Sequence, residues 1–179
     1  ISIAKSSISL TGNILTPATI NRRLAVLRAA TRWAWKQGLV SENLSGRVPR
    51  LREENARQVY LTAGNIMKLS RNSPNELCKA AIVLAAYTGL RVSELLALKQ
   101  TRSDAACLNV LKSKNRKPRV VPIAGPARPY LRALPLGCSY RRLIGWFWVA
   151  RARAGMKHVH FHDLRHSFAS MFLAANNGN

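Results

Sequence analysis

Acidic residues are scarce in this chain of 179 residues: seven Asp and Glu stand against 29 Lys and Arg, for a formal net charge of +22. None lies between Asp104 and Asp163, an interval that holds twelve Lys and Arg. So lopsided a charge favours a polyanionic partner. Cysteines are also few. Cys78, Cys107 and Cys138 stand far apart, none with metal-ligand spacing, and their odd number argues against a disulfide framework. A reducing cytoplasm suits such a chain. Long apolar runs are missing as well. The longest, Ala80 to Tyr87, falls well short of the roughly 20 residues that cross a bilayer, so no membrane partner is expected. Tyrosine is sparse and unevenly spread: Tyr60, Tyr87, Tyr130 and Tyr140 all precede His162. With 47% hydrophobic residues the chain can pack a core, which excludes global disorder.

What is present reads as mostly helix. Thr16 and Pro17 suit an N-cap and the first helical position. Ile20, Leu24, Leu27 and Ala34 follow at helical spacing, joined by Trp33, and Gly38 offers a stop. Core packing is the expectation for Trp33 and Trp35. Ser45 to Gln58 is polar and basic without apolar period, as in a linker. Thr62 is expected to cap a short helix carrying Ile66 and Leu69, and Cys78 falls in the apolar run of a buried helix from Glu76 to Tyr87. After Gly89 a new helix is expected near Ser93. Leu108 to Leu111 and Arg119 to Ile123 are β-prone, joined by a lysine-rich loop. Pro126 to Gly137 reads as loop. Tyr140 to Ala154 reads as a helix with Ile144, Phe147, Trp148 and Ala152 toward one face. Leu164, Phe168, Met171, Phe172 and Ala175 mark a final amphipathic helix.

Two short stretches carry the chemistry: Thr88-Gly89-Leu90-Arg91-Val92-Ser93-Glu94-Leu95 and His162-Asp163-Leu164-Arg165-His166. Each sets an arginine at or near a helix start. A guanidinium presents a planar fork of donors to phosphate oxygens and stays charged at any working pH. His162 and Arg165 are three apart and face one way on a helix. Glu94 is suited to hold Arg91 or Lys114 by a charge-assisted bond, and His166 to a structural part. His158, His160 and His162 would share one face of an extended segment. No cysteine lies near them, however, and Lys157 and Arg165 would repel a cation, so no metal is expected.

At these residues the chain resembles the tyrosine site-specific recombinases, the phage integrase family, from about Thr16 to Ala175. The family's first box, Thr-Gly-Leu-Arg-x-x-Glu-Leu, is matched through Arg91 and Glu94. Its second, His-x-x-Arg, is matched by His162 and Arg165. Its catalytic lysine precedes an Arg-x-Val-Pro-Ile/Leu strand, and Lys114 stands ahead of Arg119-Val120-Val121-Pro122-Ile123.

The resemblance implies a mainly α fold with a small antiparallel β-sheet (α+β): a partial helical core-binding domain over 1–50, a linker over 51–60 and a catalytic domain over 61–179. It implies DNA cleavage by transesterification, with a tyrosine attacking a phosphate to leave a 3′-phosphotyrosine. Arg91 and Arg165 would hold the nonbridging oxygens, His162 would bind the phosphate or assist proton transfer, and Lys114 would act as general acid. Lys112 and Lys117 are alternatives within the same loop. Arg22, Arg23, Lys112, Arg116, Lys117 and Arg119 are the expected DNA contacts. The implied partners are double-stranded DNA and further recombinase protomers, in the cytoplasm on the nucleoid, with no cofactor and no small-molecule substrate. The family also carries a Gly-His box and a nucleophilic tyrosine several helical turns beyond the second arginine. Only fourteen residues follow Arg165, none of them tyrosine. The chain is therefore expected to be a shortened copy that binds DNA without cutting it. A non-catalytic regulator that keeps the fold and a basic RNA-binding protein are the alternatives.

Overall fold

The computed structural model describes residues 14–53, 59–99, 106–110 and 118–175. It contains two compact units, Ile1–Arg57 and Gln58–Asn179.

In the first unit, α1 (Pro17–Lys36) starts as expected: the Thr16 side chain accepts the Thr19 N–H, and Pro17 needs no partner in the first turn. A short 3-10 segment, Leu44–Arg47, packs on it. The polar stretch that follows is tied down rather than free. Asn21 donates to the Leu51 carbonyl (2.8 Å) and accepts the Leu51 N–H (2.9 Å), while Arg28 donates to the Val48 carbonyl (3.2 Å). A side-chain amide thus satisfies backbone that no apolar period would have signalled. Only Ile20 and Asn21 of α1 are buried. Trp33 and Trp35, expected in a core, are 60% and 43% exposed: among the described residues of this unit, the 3-10 segment Leu44–Arg47 that packs on α1 does not cover them.

The second unit is built around α3 (Glu76–Thr88), in which nine of thirteen residues are buried. A helix that is apolar all round has to be enclosed. It packs against α2 (Ala63–Arg71), the 3-10 segment Gly125–Ala133 and α6 (Phe161–Ala175), and more lightly against α4 (Val92–Leu96) and α5 (Tyr140–Arg153). Thr62 and Asn75 cap α2 and α3 through their side chains. Ile66, Leu69 and Cys78 are fully buried in this core. β1 (Cys107–Val110) and β2 (Arg119–Pro122) form an antiparallel pair, with Cys107 opposite Pro122 and Val110 opposite Arg119. Among the described residues the fold is thus mainly helical with one small antiparallel sheet.

Two local expectations change. Gly125–Ala133 is a 3-10 segment rather than loop, with Ala127 and Leu131 pinned in the core. The buried stripe of α5 is Leu143, Phe147, Ala150 and Ala154, at steps of four, three and four; Trp148 and Ala152 face outward. In α6, Leu164 is buried and Phe168 half-buried, but Phe172 is 52% exposed.

Candidate functional site

The site begins where α3 ends. Gly89 closes that helix in the left-handed region, at φ 63°. The Phe168 ring lies so close that a Cβ at residue 89 would clash with its Cδ1. Only glycine combines that backbone with that approach. The turn then delivers Arg91 to the N-cap of α4.

Three residues on, the Glu94 carboxylate is buried at 4% exposure and gathers its surroundings. It accepts the Arg91 backbone N–H at 2.9 Å, closing the helix start, and Arg91 Nη1 at 3.1 Å. Arg119, at the start of β2, donates Nη1 to Oε1 (2.8 Å) and Nη2 to Oε2 (2.7 Å), a two-pronged ion pair. Arg165 Nη1 stands 4.0 Å from the same carboxylate. The Arg119 hydrogen bonds, together with the Arg91 N–H, outweigh burial and hold the Glu94 pKa down to about 2. Glu94 is therefore ionised throughout the physiological range.

The second arginine reaches the same place from α6. Asp163 is buried and accepts the His160 N–H at 2.8 Å, the reach-back bond of a capped helix start. Ser167 donates to the Asp163 carbonyl (2.7 Å) and accepts the Leu61 N–H (2.8 Å), fixing α6 to the chain entering the unit. On this firm helix Arg165 donates to the Gly89 carbonyl at 2.6 Å. Burial and the neighbouring Arg91 push the Arg165 pKa down, yet a guanidinium remains a cation at neutral pH. His162 stands one turn earlier, its ring 4.8 Å from that of His166 and edge-on to it. Desolvation first, then His166 and Arg165, lowers its pKa and favours the neutral ring.

Arg91, Glu94, His162, Arg165 and His166 thus gather at two helix starts. Arg119 joins them through Glu94, with both of its terminal nitrogens on that carboxylate. Arg22 and Arg23 are exposed on α1 in the first unit. Lys112, Lys114, Arg116 and Lys117 lie outside the described residues. No group of three His, Cys, Asp or Glu suited to a metal occurs among the described residues. Sequence reasoning missed Asp163 as a support, although it follows His160 by three as Glu94 follows Arg91, the spacing of a helix-capping acid. It also missed the cluster of Tyr140, Trp148 and Arg151, which lines a cavity together with His162 and Arg165.

The second unit is thus a mostly helical domain that sets two arginine-bearing helix starts around one buried carboxylate, beside a two-stranded antiparallel sheet. Residues 49–177 match the phage integrase family, and the chain belongs to that family of tyrosine recombinases. It is 30% identical to a tyrosine recombinase of Thermosipho africanus (strain TCF52B), over 95% of this chain and 67% of that protein. It is 29% identical to the shufflon-specific DNA recombinase of Escherichia coli, over 91% and 46%. With the tyrosine recombinase XerC of Xanthomonas campestris pv. campestris (strain B100) it shares 30%, over 89% and 56%. The chain therefore spans about half to two thirds of the length of these relatives. Its fold is similar to that of a lambda integrase dimer bound to a COC' core site (TM-score 0.67, 22% identity, 89% of this chain and 68% of that one). It is also similar to the Tn1549 transposon integrase in complex with a circular intermediate DNA (TM-score 0.66, 18% identity, 92% and 69%).

Proposed function

We propose that these 179 residues bind duplex DNA and grip one backbone phosphate between Arg91 and Arg165, as the phosphate-holding part of a site for strand exchange. The observation that carries this reading is the approach of both guanidiniums, from two distant helix starts, to the single carboxylate of Glu94. A carboxylate leaves part of each guanidinium fork open to a second anion, and each side chain remains about one-third exposed. Oriented cations of this kind gain most where charge accumulates on a phosphate in a transition state.

Within this reading, His162 binds the phosphate or carries a proton. Lys114 protonates the leaving 5′-oxygen, and Lys112, Arg116 and Lys117 contact flanking phosphates, as do Arg22 and Arg23. Arg119 fixes Glu94, and through it Arg91, rather than offering its own fork to DNA. Assembly with further protomers on nucleoid DNA follows from the same reading, given that related structures include a lambda integrase tetramer bound to a Holliday junction. The reading assigns the attacking nucleophile to none of the residues gathered at Arg91 and Arg165.

Titration of a labelled duplex at several salt concentrations tests the binding. If about six phosphates are contacted, affinity falls roughly a thousandfold between 50 and 200 mM salt. A flat dependence, or a preference for structured RNA, contradicts the reading. On a nicked suicide substrate no denaturation-resistant protein–DNA adduct is expected. An adduct on Tyr140, which lines a cavity with Arg165, would place the attacking residue upstream of His162 and contradict the reading.

A further inference from the structure

The candidate phosphate site opens into a cavity of about 450 Å³, of which Arg165 and His162 are themselves wall residues. The rest of the lining has a different chemistry. Leu90, Ile144, Phe147 and Phe161 give it an apolar base. Tyr140 and Trp148 of α5 also line it while each remaining 58% exposed. Arg151 is held in place by donating to the Val159 carbonyl at 2.8 Å, and its guanidinium lies over the Trp148 ring, 5.9 Å from the centroid. The cavity is within the roughly 300–1,000 Å³ of small-molecule sites, with an apolar lining and a few directed polar groups. A bare phosphate would leave these aromatic faces unused. A ligand that fills the whole space is anionic at the Arg165 end and flat and partly apolar at the Trp148 end.

We propose that this cavity receives the nucleoside attached to the phosphate held by Arg91 and Arg165. Trp148 and Tyr140 supply the stacking faces, and Arg151 supplies a hydrogen-bond donor to the base edge. The proposal rests on the phosphate reading of the adjacent site. Stacking of this kind tolerates any base, because every base has a π-face. A base must leave its duplex stack to enter, so nicks, ends and mismatches should supply it most readily. The residues concerned serve DNA engagement beside the reacting phosphate and stand apart from the two arginine boxes in sequence.

The test is an NMR titration of the 179-residue protein with three probes: inorganic phosphate, deoxyribose 5-phosphate and deoxyadenosine 5′-monophosphate. The readouts are the His162 ring and the Trp148 indole N–H. Phosphate should move His162 and leave Trp148 unmoved. The nucleotide should move both and bind about tenfold more tightly than the sugar phosphate. Trp148→Ala should erase that gain and Trp148→Phe keep most of it, with phosphate affinity unchanged in both. Equal affinities for nucleotide and sugar phosphate, with phosphate still binding at His162, would overturn the nucleoside cavity and leave the phosphate site standing. Phosphate that fails to perturb His162 would overturn both.

Discussion

The two arginine-bearing helix starts solve one problem by different means. At α4 the arginine is held by a charge: Glu94 closes the turn through the Arg91 N–H and binds the Arg91 and Arg119 side chains. At α6 the closing acid is Asp163, and Arg165 is positioned by a main-chain acceptor, the Gly89 carbonyl. The first arrangement depends on ionisation, the second on backbone shape. The α4 half should therefore respond to acid and to loss of a charge, and the α6 half to steric change at Gly89.

Gly89→Ala is expected to have the largest effect. The substitution combines a strained left-handed alanine with a clash against Phe168, and should cost about 3–4 kcal/mol in urea denaturation. Adding Phe168→Ala should recover only the steric part. Full recovery would mean that the backbone conformation is unimportant.

Glu94→Gln comes next, at about 2–3 kcal/mol, because it leaves Arg119 facing a neutral amide in a largely buried position. The same pair sets an acid dependence. Glu94 titrates near 2 in the fold against an ordinary value of 4.5, a difference of roughly 3 kcal/mol. That contribution is complete above about pH 4.5 and is lost as pH falls toward 2. Acid unfolding of the Gln variant should lack this slope, and an unchanged slope would remove Glu94 from the account.

Asp163→Asn should cost about 1 kcal/mol in urea denaturation, the scale of a helix-capping bond. The smallest effect belongs to His162. Its lowered pKa should rise when an anion binds, so duplex affinity should grow a few-fold from pH 8 to pH 6. NMR titration of the ring with and without phosphate checks the direction.

Much of this was readable from residue order. Thr16, Pro17 and Thr62 mark helix starts because caps are local chemistry, and the even apolarity from Ala80 to Ala86 can only be enclosed. The two boxes pointed to Arg91, Glu94, His162 and Arg165 together. The fork of Arg119 on Glu94 was hidden, since 25 residues separate them and any arginine in so basic a chain reads first as a surface charge. The exposure of Trp33 was equally hidden, because helical spacing identifies a face without saying whether anything covers it. The stripe of α5 was read correctly at Phe147 and misread at Trp148 and Ala152 for a similar reason: Trp148 is large and apolar, yet it is exposed beside Arg151.

A double-mutant cycle on duplex affinity, using Arg91→Ala, Arg165→Ala and the pair, tests the shared phosphate grip most directly. If both arginines hold one phosphate, each single loss removes most of the contact. The pair should then fall short of the sum by about 1 kcal/mol or more, and lysine at either position should not restore binding. Losses that add to within about 0.5 kcal/mol, with lysine as effective as arginine, would mean two independent surface charges and would contradict the account.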